Sequence, residues 1–249
     1  NIKIPRTQVV INMAPADIRK EGTAYDLPLA IGMLAANESL KPELLSDYLI
    51  MGELSLDGTL KPIKGVLPIA IKARELGFKG FILPKENSRE AAVVNNLDVL
   101  GVENITEVIA FLNGEKEIEK TIVNTREEFF TNYELFDIDF ADVKGQENVK
   151  RALEIAASGG HNIIMIGPPG AGKSMMAKRL PTILPPFTLQ EALETTKIHS
   201  VAGKIDTKTS LMSKRTFRSP HHTISDVALV GGSSSEGSSQ AMTALWWCW

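Results

Sequence analysis

The strongest constraint on this chain is a run of eight residues: Gly167, Pro168, Pro169, Gly170, Ala171, Gly172, Lys173 and Ser174. The run satisfies the spacing G-x-x-x-x-G-K-[ST] of a phosphate-binding loop. Small residues let the backbone curl around a phosphate so that several N–H groups point inward. A helix opening near Lys173 adds its positive N-terminal dipole. Lys173 reaches the β- and γ-phosphates as a point charge, and the Ser174 hydroxyl serves as a Mg2+ ligand. The flanks suit this reading. Residues 162–166 (NIIMI) form an apolar run that predicts a strand ahead of the loop, and residues 175–180 predict a helix behind it. The loop therefore predicts a nucleotide site with Mg2+. The competing reading is a glycine-rich strand-to-helix turn with no ligand.

The rest of the chain predicts an α/β fold in two parts. Residues 1–113 alternate strand and helix signals. Residues 8–12 (QVVIN) are a β-branched run, and residues 26–37 predict a buried helix. Residues 49–56 and 59–63 are extended runs parted by Asp57 and Gly58, a hairpin signal because the tight turn needs positive φ. Residues 67–76 predict a helix that Gly77 ends, and residues 78–83 a strand that stops at Pro84. Residues 86–95, 97–102 and 105–113 then read helix, strand, helix. Residues 114–139 are charged and lack a long apolar period, which predicts a linker with a little local helix. Its aromatics Phe129, Phe130, Tyr133 and Phe136 are expected to dock it on a neighbouring domain. A second domain is expected over 140–249. It starts with an amphipathic helix at 148–158 that Gly159 and Gly160 end, and holds a further helix at 189–198.

Composition narrows the function classes. The chain has 249 residues, 27 basic against 30 acidic, and one cysteine, Cys248, which cannot form an internal disulfide. No apolar run approaches the roughly 18 residues of a membrane span, and no signal peptide opens the chain. A start at Asn1 is consistent with the loss of an N-terminal segment. A soluble intracellular protein with no membrane partner is expected. Residues 141–249 carry 12 basic and 8 acidic residues. That balance suits a polyanion and is also ordinary scatter. His221 and His222 are adjacent, so their side chains diverge, and no nearby Cys or third His completes a metal site. A loop meeting another subunit or DNA is the favoured reading there. Arg218 reads equally as a phosphate contact or as a solvated side chain.

The residues around the loop carry a family resemblance. Residues 140–157 (FADVKGQENVKRALEIAA) with 159–174 resemble the start of an AAA+ ATPase module of the magnesium-chelatase-like branch. Residues 217–223 (FRSPHHT) and 229–232 (LVGG) are similar to later segments of that branch. The resemblance implies that Val143, Gly145 and Gln146, in the VKGQ segment, lie against the adenine. Residues 51–87 resemble the proteolytic domain of Lon, an S5-like α/β fold. Active domains of that type use a Ser nucleophile and a Lys base. By the resemblance Ala24 stands at the serine position and Leu67 at the lysine position, so no peptidase activity is expected. A disarmed Lon-like domain before a magnesium-chelatase-like AAA+ module resembles the ComM (YifB) family. Residues 12–28 fit that family, and the resemblance runs to about residue 232. It implies a bacterial cytoplasmic protein about twice this length. It also implies a homo-hexameric ring that drives branch migration on single-stranded or branched DNA during natural transformation.

Two expectations concern the ends. The first strands of the Lon-like domain are expected to be absent at the N-terminus. At the C-terminus no apolar run ending in Asp-Glu follows Ser174, so the acidic motif that holds Mg2+ and polarises the attacking water is not found. The last nine residues, AMTALWWCW, carry three Trp and no charge. We expect that a frameshift ended the frame just before that motif; a genuine indole-rich terminus is the competing reading. The AAA+ domain is therefore expected as a truncated three-layer α/β/α unit with no complete catalytic set. A DNA motor, a magnesium-chelatase-type ATPase subunit and an inactive nucleotide-binding fragment remain as function classes.

Overall fold

The computed structural model describes residues 9–13, 22–131, 138–206 and 209–219. The chain divides into two compact units, residues 1–125 with 199–210 and residues 126–198 with 211–249. In chain order, unit 1 holds α1 (Asp26–Ala36), β1 (Tyr48–Ile50), β2 (Glu53–Leu54), β3 (Leu60–Lys61) and α2 (Val66–Glu75). β4 (Gly80–Pro84), α3 (Ser88–Ala91), β5 (Asp98–Val102) and α4 (Ile105–Leu112) follow. A short helix, α5, covers Thr125–Thr131. The later helices are α6 (Glu147–Gly159), α7 (Lys173–Arg179) and α8 (Leu189–Val201).

Unit 1 is built on a parallel sheet in the order β1-β4-β5. Parallel strands need crossover helices on the sheet faces, so the central strand is apolar on both sides. β4 shows this: Phe81, Ile82 and Leu83 are all fully buried. Leu27 and Ile31 of α1 join Ile82, Leu100 and Val108 in one core. The hairpin signal is met by β2 and β3, which pair antiparallel across Gly58 at φ 88°. The Asp57 carboxylate accepts from the Thr59 hydroxyl at 2.7 Å and from the Thr59 N–H at 3.0 Å. Those bonds hold its pKa below the usual carboxylate value.

Several expectations are corrected in detail. The run 49–56 is not one strand. The Gly52 N–H donates to the Ala24 carbonyl, and the Gly52 carbonyl accepts from the Leu27 N–H. The backbone there is committed to the entry of α1, so β1 joins the sheet and β2 joins the hairpin. The helix expected over 86–95 shortens to a 3-10 turn (Lys85–Asn87) and the four residues of α3. Asn87 spends its side-chain amide on both backbone groups of Ile63, at 2.9 and 3.0 Å. β4 includes Pro84 as its last residue, where a missing N–H does least harm. Residues 9–12 form no strand, and Val10 is exposed; Gln8 lies outside the described residues.

In unit 2 the apolar run 162–166 stands in neither helix nor strand. A strand exists only through its ladder, and among the described residues no strand lies beside this run. Ile164 and Ile166 are accordingly exposed, while Met165 packs on the core of the unit. The strand layer of the expected α/β/α unit is therefore not formed among the described residues of unit 2. In the expected linker Phe129 is buried and Phe130 exposed; Tyr133 and Phe136 lie outside the described residues.

The sheet makes a stability prediction. A Cβ on Gly80 would stand 2.6 Å from the Asp98 carbonyl oxygen and 2.7 Å from the Tyr48 ring. The first neighbour is backbone in the β4–β5 ladder and cannot yield without breaking register. Gly80→Ala is expected to destabilise unit 1 by roughly 1–3 kcal/mol, read as a lowered urea midpoint with an unchanged slope.

Candidate nucleotide-binding site

The loop sits on a small apolar cluster. Phe140, Val143, Leu153 and Met176 are buried together, with Val149, Met165, Leu180 and Ile183 packed around them. These residues come from the segment before α6, from α6, from α7 and from the run entering the loop. The segment is also stapled by polar contacts. Asp139 and Asp142 form a reciprocal cap on the 3-10 turn Phe140–Asp142. The Arg179 side chain donates to the Asp139 carbonyl at 3.0 Å and to the Asp142 carboxylate at 3.4 Å. The Phe140 N–H donates to the Thr182 hydroxyl at 3.1 Å. Sequence reasoning did not single out Arg179, Asp139, Asp142 or Thr182. Asp139 three residues before Asp142 follows the capping-box spacing, a signal that was available.

The structure gathers the predicted loop residues into one curl. A Cβ on Gly167 would lie 3.9 Å from the Ala171 Cβ, so the two ends of the turn approach each other. Gly170 and Gly172 take φ of 79° and 82°, a left-handed conformation that side chains disfavour. Nothing lies within 4 Å of a Cβ at Gly170, and only the tip of Met175 and the Gln146 amide approach one at Gly172. Pro168 and Pro169 are exposed. Lys173 Nζ donates to the carbonyls of Gly167 at 2.7 Å and Pro168 at 2.8 Å. Ser174 is exposed at the start of α7.

The VKGQ residues part company. Gln146 reaches the loop, its Nε2 donating to the Ala171 carbonyl at 3.3 Å. Gly145 precedes it at φ 68°, exposed. The Val143 side chain is buried in the apolar cluster. The open curl, the ammonium at its mouth and the exposed hydroxyl have the chemistry to hold a phosphate and a hard cation. Arg218 is half-buried, and His221 and His222 lie outside the described residues. Among the described residues no cluster of His, Cys, Asp and Glu could hold a metal ion, and no helix is long and apolar enough to cross a membrane.

Unit 1 holds the two residues that the resemblance to Lon sets at its dyad positions. Ala24 lies in the 3-10 turn Thr23–Tyr25, whose Thr23 hydroxyl donates to the Glu53 carboxylate. Leu67 is fully buried in the first turn of α2. Neither side chain carries a nucleophile or a base. The Leu67 N–H donates to Glu90 at 3.0 Å and to the Ser200 hydroxyl at 3.4 Å, and the Gly65 N–H donates to the Ser200 carbonyl at 3.0 Å. A cavity of about 230 Å³ adjoins these groups, with Lys64, Glu86, Glu90 and Asp206 in its wall. Glu90 is 7% exposed. Burial raises its pKa above the usual value, against hydrogen bonds from Ser200, Leu67 and Asn87 that favour the carboxylate.

Comparison with known proteins extends this picture. The family described as "Magnesium chelatase, subunit ChlI" matches residues 139–244, and "Subunit ChlI of Mg-chelatase" matches residues 1–87. The uncharacterised protein YifB of Escherichia coli is 40% identical over 233 residues, covering 94% of this chain and 45% of YifB. The competence protein ComM of Haemophilus influenzae is 38% identical over 230 residues, covering 92% of this chain and 45% of ComM. Lon protease 2 of Bacillus subtilis is 28% identical over 96 residues, 38% of this chain and 17% of that protein. The chain thus spans a little under half the length of the YifB and ComM relatives.

Glu90 gives the pH prediction. A carboxyl whose folded pKa is raised contributes stability that is fully present below its unfolded pKa and is lost as pH rises through the folded one. Glu90→Gln removes that loss and keeps an acceptor for the Leu67 N–H. The variant is expected to be more stable than the parent at pH 7, with the difference closing as pH falls toward the ordinary carboxylate range. Urea unfolding across that range reads both arms; an equal difference at every pH contradicts the assignment.

Proposed function

Because the chain belongs to the magnesium-chelatase-like family that includes YifB and ComM, we propose that it binds ATP with Mg2+ in the loop 167–174. We propose further that it forms part of an ATP-driven DNA motor. The observation that carries the first step is the loop itself. Its glycines leave an open curl, and Lys173 already sits across the Gly167 and Pro168 carbonyls at the mouth. Bound Mg2+–ATP supplies the phosphoanhydride bond whose hydrolysis powers movement.

The chain's own residues have definable tasks. The loop N–H groups bind phosphate oxygens, and the Lys173 ammonium neutralises charge on the outer phosphates. The Ser174 hydroxyl is a Mg2+ ligand. Arg179, Asp139 and Asp142 hold α7 against the VKGQ segment, which keeps the loop and the neighbouring wall in one frame. Val143 is buried in the apolar cluster, so the exposed residues 144–146 are the parts of that segment open to a base. The DNA reading, with a homo-hexamer acting on single-stranded or branched DNA in the bacterial cytoplasm, rests on the kinship with ComM, whose name is that of a competence protein. The family description favours one second reading, an ATPase subunit serving a magnesium chelatase.

Lys173→Ala is expected to weaken Mg2+–ATP binding to this chain at least tenfold without unfolding it, read by calorimetric titration and circular dichroism. Unchanged affinity overturns the site. In a protein of the relatives' full length carrying these residues, ATP hydrolysis is expected to rise on adding branched DNA. A rise with a chelatase partner and none with DNA selects the second reading.

A further inference from the structure

The phosphate loop is shaped by which of its carbonyls the protein has already engaged. Lys173 Nζ takes the carbonyls of Gly167 and Pro168, and the Met176 N–H takes that of Gly172. The Ala171 carbonyl has a donor from outside the loop, the Gln146 side chain at 3.3 Å. In a trans peptide the C=O of one residue and the N–H of the next point in opposite directions. Drawing the Ala171 carbonyl toward Gln146 therefore turns the Gly172 N–H the other way.

Gln146 occupies an unusual position for this task. Its backbone is left-handed, at φ 57° and ψ 42°, immediately after Gly145 at φ 68°. A side chain is disfavoured there, and glycine or asparagine is the ordinary choice. A glutamine held in such a conformation points to a use for its side chain. The surrounding frame makes the reach possible. Phe140 and Val143 anchor the segment before Gln146 in the apolar cluster, and Arg179 ties it to the end of α7.

We propose that Gln146 is a positioning residue that pins the Ala171–Gly172 peptide, so that the Gly172 N–H faces the phosphate chain of the nucleotide. The role rests on the nucleotide reading of the loop. It differs from a direct contact between Gln146 and the base: recognition passes through the loop backbone and is indifferent to adenine.

Two variants test this. Gln146→Met keeps the length and the left-handed backbone but removes the donor. Gln146→Gly removes the donor and relieves the backbone. Both are expected to weaken ATP about tenfold and tripolyphosphate, which has no base, by the same factor. Gln146→Gly is expected to leave the melting temperature unchanged or raised. In the nucleotide-free protein both variants are expected to shift the backbone amide resonance of Gly172. Loss of ATP affinity with tripolyphosphate unaffected overturns the proposal in favour of a base contact. Affinity and melting temperature falling together in Gln146→Gly reduce Gln146 to a structural residue, and an unmoved Gly172 resonance also overturns the proposal. If the parent chain binds neither ligand, the nucleotide reading itself fails, and the Gly172 resonance alone then decides whether Gln146 orients the peptide.

Discussion

A loop whose carbonyls are held by the protein has the N–H groups of the following residues turned the other way. In this chain Lys173, Gln146 and the first turn of α7 engage four of these carbonyls. Two further features of unit 2 support that arrangement. The apolar cluster of Phe140, Val143, Leu153 and Met176 fixes the distance between the VKGQ segment and α7, and the Arg179 contacts fix their orientation. The loop is thus shaped before any ligand arrives, so little ordering remains to be done on binding.

Unit 1 follows a different logic. Its buried parallel strand β4 packs among the surrounding helices, and the side chains of Ala24 and Leu67 carry neither a nucleophile nor a base. The α2 entrance presents backbone N–H groups, which Glu90 and Ser200 satisfy. A buried carboxyl there is costly, and hydrogen bonds to it offset part of the cost.

Much of this was legible in the sequence. The loop could be read because its function demands particular residue types at fixed spacing. α1 could be read because its run is apolar and rich in Ala and Leu, and α6 because its apolar residues follow the helical period. The hairpin at Asp57 and Gly58 could be read because few residues tolerate its turn. What could not be read depends on partners far along the chain. Residues 162–166 have every strand attribute except, among the described residues, a neighbour to pair with. Residues 49–56 read as one strand until Gly52 is seen bonded to the entry of α1. The helix expected at 86–95 is cut short where Asn87 spends its amide on Ile63. Gln146 was named from a resemblance that places it against adenine, and its contact with Ala171 is visible only in three dimensions.

In the proposed function the loop recognises a chain of phosphates through its backbone and Lys173. The most direct measurement is a calorimetric titration of this chain with ATP, ADP and AMP in the presence of Mg2+. AMP lacks the phosphates that the loop amides and Lys173 address. ATP and ADP are expected to bind, and AMP to bind at least tenfold more weakly. Equal affinity for the three nucleotides, or none for any, would contradict that reading.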